Sequence, residues 1–266
     1  MAFSPPDSLK YEVRGSTCYI TLNRPQAMNA LNLELQHALP MAIQEYEADP
    51  SLLAAVITGE GGRAFSAGAD LKEVASFVGT DRDPRRTGAR REPQMLLKME
   101  NCRKPLIAAV DGYAFAGGCE LAVICDIRLA TRTSQFAIPE VKRSIIAGVG
   151  TTHLPRMIPL GEALLMTMTG EPITAQRAYE IGLIQELAED RDELFEKADK
   201  IAAAIAKNPP LAVQDVKRIV KVGVNVPLEY AVHFREKYAD TIMQTEDAKE
   251  GAMAFAEKRA PVWKSR

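Results

Sequence analysis

Two short stretches put small residues where side chains would otherwise shield the main chain: Ala67-Gly68-Ala69 and Ala116-Gly117-Gly118. Bare backbone N–H groups aimed at an oxygen that gains negative charge form an oxyanion hole, and losing one such donor costs about 2.7–4 kcal/mol. A helix beginning at Gly118 would add the positive end of its dipole to the same spot. Glycine-rich turns are more often only turns, so composition alone leaves both readings open. Two carboxylates sit close to hydrophobic runs. Glu120 falls in the first turn of the apolar segment Cys119 to Cys125, and Glu140 follows Phe136-Ala137-Ile138-Pro139. Two acids sharing a low-dielectric site do not easily ionise together, so one tends to hold a proton while the other acts as a base. The plainer alternatives are a favourable first-turn charge for Glu120 and a solvent-exposed loop acid for Glu140.

Other chemistries find less support. Ala64-Phe65-Ser66-Ala67-Gly68 lacks the first glycine of a nucleophile elbow, and no histidine stands in an obvious partner position. There is neither a phosphate-binding G-x-x-x-x-G-K-[ST] loop nor a strand-linked G-x-G-x-x-G. The four cysteines (Cys18, Cys102, Cys119, Cys125) have no C-x-x-C spacing and the three histidines (His37, His153, His233) are scattered, so no metal site is expected. The thiols read as reduced, as in a cytoplasmic protein. With 33 Lys+Arg against 35 Asp+Glu the formal charge is −2, which gives no global basic field for nucleic acid. Tyr113 and Phe115 read as core aromatics rather than base-stacking platforms. MAFSPPDSLK lacks the basic and apolar regions of a secretory signal, so export is not expected. The most apolar stretch, Leu106 to Cys125, is interrupted by Asp111, Gly112, Gly117, Gly118 and Glu120, so no membrane span is expected.

The elements that must position these residues follow an α/β rhythm over the first half of the chain. Thr17 to Leu22 reads as a strand, and after the turn Asn23-Arg24-Pro25 apolar residues recur at helical spacing at Leu31, Leu35, Leu39, Ile43 and Tyr46. Asp49-Pro50 closes that helix. Leu53 to Thr58 is a second strand, ending in Gly59-Glu60-Gly61-Gly62 and then the small, loop-like run Ala64 to Asp70. Thr80 to Arg91 is rich in Arg and poor in apolar residues, which predicts a mobile surface loop. Leu106 to Val110 reads as a buried strand, Asp111-Gly112 as a turn and Ile127 to Thr131 as a further strand. Beyond about Leu160 helices dominate. Thr174 caps Ala175 to Ile181 with Gly182 as its stop, and Asp190 or Asp192 opens a helix that reaches Lys207. Leu211 to Lys221 is amphipathic, Pro227 starts another helix, and Thr245 caps the last one through Lys258. A core over residues 1–190 and a helical module over 191–266 are predicted. Hydrophobic residues make up 47% and charged residues 26%, enough for a substantial core.

Together these segments resemble the crotonase superfamily (the enoyl-CoA hydratase/isomerase family), from Asn23-Arg24-Pro25-Gln26-Ala27-Met28-Asn29-Ala30-Leu31 to Phe255-Ala256-Glu257-Lys258-Arg259. Phe65-Ser66-Ala67-Gly68-Ala69-Asp70-Leu71-Lys72 is similar to the family's first oxyanion motif, which implies the Ala69 N–H as one donor, and by the same resemblance Gly117 is its partner. Gly117-Gly118-Cys119-Glu120-Leu121-Ala122 and Phe136-Ala137-Ile138-Pro139-Glu140 resemble the segments that carry the two glutamates of hydratases. The implied fold is α/β, a right-handed crotonase-like spiral of strand-strand-helix turns followed by helices that build a homotrimer, often paired into a hexamer. The implied activity is reversible hydration of a 2-enoyl-CoA thioester, with Glu120 activating water and Glu140 exchanging the proton at C2. An enoyl-CoA isomerase, a carnitinyl-CoA dehydratase-like enzyme and an inactive acyl-CoA-binding or RNA-associated paralogue are the alternatives. Coenzyme A would enter as part of the substrate, with no cofactor. Its adenine is placed by the resemblance near Gln26, Ala27, Met28 and the segment Ala67 to Lys72, with Gly118 and Pro139 bordering the substrate and Lys258 reaching phosphate from a neighbouring subunit. The chain departs from the common hydratase pattern in Val141 to Gly150 and at Ala116, where a glycine is frequent.

Overall fold

Alternation along the central strands decides which residues face which layer. β3 (Ala54–Gly59) and β5 (Leu106–Val110) are buried at every position, as strands covered on both sides must be. Ala55, Ile57, Ala108 and Val110 join the main core, while Ala54, Val56, Ile107 and Ala109 face the opposite way. Leu194, Ala198 and Ala202, at helical spacing, close over that second face. The computed structural model describes residues 3–77, 79–81 and 92–266, and most of the Arg-rich stretch read as a loop lies outside them.

Six strands form the larger sheet in the order β1-β2-β3-β5-β7-β10, with β1 (Leu9–Arg14), β2 (Thr17–Leu22), β7 (Ile127–Thr131) and β10 (Glu186–Ala188). Only the β1–β2 pair is antiparallel. A second, four-stranded sheet runs β4-β6-β8-β9, from β4 (Ala64–Ser66), β6 (Tyr113–Phe115), β8 (Gln135–Ala137) and β9 (Ile173–Thr174). β4, β6 and β8 are parallel, and β9 returns antiparallel. Each turn of chain therefore gives one strand to the large sheet and the next to the small one, in the pairs β3/β4, β5/β6 and β7/β8. This is the strand-strand-helix spiral. The run Ala64 to Asp70, read from sequence as loop-like, begins as a three-residue strand.

The helices, in chain order, are α1 (Leu33–Ala48), α2 (Leu71–Ser76), α3 (Glu92–Glu100), α4 (Gly117–Ile124), α5 (Gly148–Thr152), α6 (Leu154–Met157), α7 (Leu160–Thr169), α8 (Ala175–Glu180), α9 (Arg191–Ala206), α10 (Pro210–Gly223), α11 (Leu228–Met243) and α12 (Glu246–Glu257). Asn32, Thr174, Asp190 and Thr245 cap their helices through side-chain oxygens that accept from the first-turn amides. α9 packs against β3, β5 and β7 of the large sheet, whereas α10 and α11 pack on each other and bury none of their own residues fully. Among the described residues no helix is long and apolar enough to cross a membrane.

α4 lies at the centre and is buried along its whole length. Its C-terminal carbonyls would be orphaned there, and Arg128 meets them. The guanidinium donates to the carbonyls of Cys125 (2.5 Å), Val123 (3.3 Å) and Leu183 (2.7 Å). Arg128→Met would strand these acceptors away from water, so a loss of at least about 2 kcal/mol of stability is expected. Urea unfolding followed by circular dichroism measures it.

Candidate functional site

The first donor segment is built by its neighbours. Ser66 Oγ donates to the Asn29 carbonyl (2.8 Å) and accepts from the Gly68 N–H (3.2 Å). The Ala67 N–H donates to the Met28 carbonyl (3.0 Å), the Leu31 N–H to the Gly68 carbonyl (2.8 Å), and the Asp70 N–H to the Leu31 carbonyl (3.3 Å). Asn29 is fully buried with φ of 52°, and its side chain donates to the carbonyls of Glu60 and Ala64 while accepting from the Arg24 N–H. Arg24 then pairs with Asp70 at 2.9 Å and donates to the Ala30 carbonyl at 2.6 Å. Asp70 itself caps α2. All the amides from Ala67 to Asp70 are thus engaged except that of Ala69, which has no partner among the described residues.

The second segment lies directly against the first. Gly68 has φ of +83°, and a Cβ there would stand 2.7 Å from the Ala116 Cβ and 2.9 Å from the Gly117 nitrogen. A Cβ on Gly118 would stand 2.2 Å from the Ser66 carbonyl oxygen, so α4 begins in contact with the end of β4. Ala116 turns the chain into α4 with φ of 51° and ψ of −130°, while its N–H donates to the Ala137 carbonyl at 3.0 Å. Gly117, as the first residue of α4, has no partner for its N–H among the described residues. The two free donors therefore come from backbones that touch.

Both donors border one cavity of about 910 Å³. The 3-10 turn Pro25–Ala27 supplies Gln26 and Ala27, followed by Met28; Ala67, Ala69, Asp70, Leu71 and Lys72 form the facing wall. Gly117, Pro139 and Glu140 also line it. Of the other residues singled out from sequence, Gly68 and Gly118 lie beneath this surface at the backbone contact, and Lys258 is the exposed C-terminal cap of α12, outside the cavity of its own chain. Arg63, Phe115, Arg143 and Ile145 also line the cavity, although no motif marked them.

Glu120 is only 3% exposed, and its Oε1 accepts from the Gly150 N–H at 2.8 Å. Burial raises its carboxyl above the ordinary carboxylate value, opposed by the amides of Gly150, Val149 and Gly148 and by His153. Glu120 therefore faces the start of another helix, α5, besides standing at the start of its own. Glu140 sits in the 3-10 turn Pro139–Arg143 with Oε2 shielded from solvent, so it is not the exposed loop acid of the plainer reading. The thiol of Cys119, the residue before Glu120, is pushed up by burial and then by both Glu120 and Glu140. Both carboxylates thus lie within electrostatic reach of one buried side chain. This arrangement can hold an anionic oxygen on two amides and move protons with a pair of acids nearby.

A family model for enoyl-CoA hydratase/isomerase matches residues 12–266. An (E)-benzylidenesuccinyl-CoA hydratase from Thauera aromatica is 37% identical over 262 residues, covering 95% of this chain and 97% of its own length. A short-chain-enoyl-CoA hydratase from Clostridium acetobutylicum is 36% identical, covering 93% of this chain and 94% of its own. The crystal structure of an enoyl-CoA hydratase from Bacillus anthracis superposes with a TM-score of 0.91 at 33% identity, covering 97% of this chain and 100% of that one.

Two stability measurements follow from the site. Ala116 occupies a conformation suited to glycine, so Ala116→Gly is expected to stabilise the chain by about 1 kcal/mol in urea unfolding. Glu120 binds its proton more tightly folded than unfolded, so this group's contribution to stability is full below the ordinary carboxylate range and is lost as pH rises through the folded-state value. Glu120→Gln is therefore expected to melt above wild type at pH 8, with the difference closing towards pH 4 in thermal denaturation.

Proposed function

Because the chain belongs to the enoyl-CoA hydratase/isomerase family, we propose that it is an enoyl-CoA hydratase, a hydro-lyase that reversibly adds water across the C2=C3 bond of a 2-enoyl-CoA thioester. The observation that carries this reading is the convergence of the free Ala69 and Gly117 amides on one cavity that Glu140 lines; Glu120 does not line it but stands three residues beyond Gly117 on the same helix. The thioester oxygen accepts from both amides, which stabilises the enolate-like state more than the ground state. Water attacks C3 as Glu120 takes its proton, and Glu140 delivers a proton to C2. The proton gained by one acid balances the proton lost by the other, so the pair returns to its starting charge after proton exchange with solvent. This chemistry draws only on protein groups, with coenzyme A entering as part of the substrate and its adenine resting near Gln26, Ala27 and Met28. Retention of both acids favours hydration over isomerisation, which one acid can perform by shuttling a proton between C2 and C4.

The reading includes a homotrimer, paired or not into a hexamer, assembled through the C-terminal helices. Its support is the exposed apolar surface on α7 (Leu160, Leu165, Met168), α10 (Val216, Val220) and α11 (Leu228, Tyr230). In such an assembly Lys258 is placed to meet a phosphate of the coenzyme bound to a neighbour. A cytoplasmic location agrees with four buried, unpaired cysteines.

Crotonyl-CoA incubated in ¹⁸O-enriched deuterium oxide should give a 3-hydroxy product carrying the oxygen label. Glu120→Gln and Glu140→Gln should each lower kcat by at least about 10²-fold. Full hydration by both variants would show the acids to be misassigned, and deuterium uptake without oxygen would make the protein an isomerase.

A further inference from the structure

α5 is five residues long, and its N-cap, Ala147, offers no side-chain acceptor. Glu120 supplies one from another helix, accepting the Gly150 N–H at 2.8 Å. The far end of α5 is tied elsewhere. His153, which follows α5 directly, donates its N–H to the Val149 carbonyl at 2.8 Å. Its ring meets Thr152 Oγ1 through Nδ1 at 2.8 Å and Glu100 Oε1 through Nε2 at 2.9 Å. Glu100 is the last residue of α3, which packs against both α4 and α5. The short turn that grips Glu120 is thus held between α4 on one side and the end of α3 on the other.

Glu100 and His153 border a different cavity, of about 610 Å³, which shares no lining residue with the catalytic one. Neither residue borders the larger cavity, so any effect on substrate bound there is indirect. The charges facing the pair are Asp126 and Arg128 beyond α4, Arg156 on α6, and Lys217 and Lys221 on α10. Acting on Glu120 are the α5 amides and His153, while Cys119 lies within electrostatic reach of both Glu120 and Glu140. The Cys119 thiol is pushed up by burial and stays uncharged.

We propose that Glu100 and His153 are positioning residues for the hydration: the hydrogen bond between them clamps α5, whose Gly150 amide fixes the orientation of the Glu120 carboxylate. The proposal rests on the reading of Glu120 as the group that activates water. With ionised Glu120 as the base, loosening the α5 amide that donates to its carboxylate strengthens its hold on a proton, so the acid limb of the rate profile moves to higher pH.

The test is kcat, KM and the pH profile of crotonyl-CoA hydration for His153→Ala, His153→Gln, Glu100→Ala and Glu120→Gln, with thermal unfolding of each. His153→Ala is expected to lower kcat about tenfold with KM within about twofold, and to shift the acid limb upward. Glu100→Ala should do the same. His153→Gln, which can still bond Glu100, should recover most of kcat and return the limb towards wild type. Should His153→Ala fail to fold, Glu100→Ala and His153→Gln carry the test. An unmoved acid limb with kcat within about twofold of wild type in Glu100→Ala would overturn the proposal while leaving the hydratase reading intact, provided Glu120→Gln is inactive. An active Glu120→Gln would instead remove the reading beneath it.

Discussion

Two backbones have to touch for this site to exist. A single oxygen can accept from two amides only if both nitrogens lie within about 3 Å of it, which brings their chains closer than side chains normally permit. Here the contact is made by Gly68 against Ala116 and Gly117, and by Gly118 against Ser66, positions at which an added Cβ would come within 2.9 Å of its neighbours. The small sheet makes the meeting possible. β4, β6 and β8 are parallel neighbours and so end at one edge, where the chain beyond each delivers, in turn, Ala69, Gly117 and Glu140. One sheet edge presents both donors and one acid because the spiral repeats, with each turn advancing by one strand.

Electrostatics then separate the two acids. Glu120 is embedded in the apolar centre and compensated by amides, so its proton affinity rises by burial and is moderated by the α5 turn. Glu140 stands on the cavity wall in a 3-10 turn, where ligand can reach it. Similar side chains placed in unlike surroundings can divide the roles of base and acid. The buried Arg128 belongs to the same scheme, since it holds the far end of the helix that carries both Gly117 and Glu120.

Long elements were readable from residue pattern, and short ones were not. Thr17–Leu22 and Leu106–Val110 are strands with the limits read from their apolar runs, and Thr174 and Thr245 cap the helices they were expected to cap. β4, β6 and β8 have three residues each, too few to show a period of two, so Ala64 to Asp70 passes for loop in sequence. The small-residue segments and both glutamates stand out by type and by their apolar neighbours. Their supports do not. Asn29 serves Ala64 from 35 residues away, Arg24 reaches Asp70 across 46, and His153 meets Glu100 across 53. Nothing local marks a polar residue whose partner is supplied by the fold. His153 in particular reads as one of three scattered histidines, and Leu31, taken for the start of a helix, instead bridges Ala69.

The four cysteines, finally, all lie inside. Burial pushes the thiols of Cys18 and Cys125 up to about 12 and that of Cys102 to about 11, with Cys119 raised as well. Alkylating reagents and spin labels react with thiolate, so at neutral pH these sulfurs are inert as well as inaccessible. A cysteine placed by mutagenesis on the rim of the cavity would carry a spectroscopic probe selectively, and the native thiols could stay where they are.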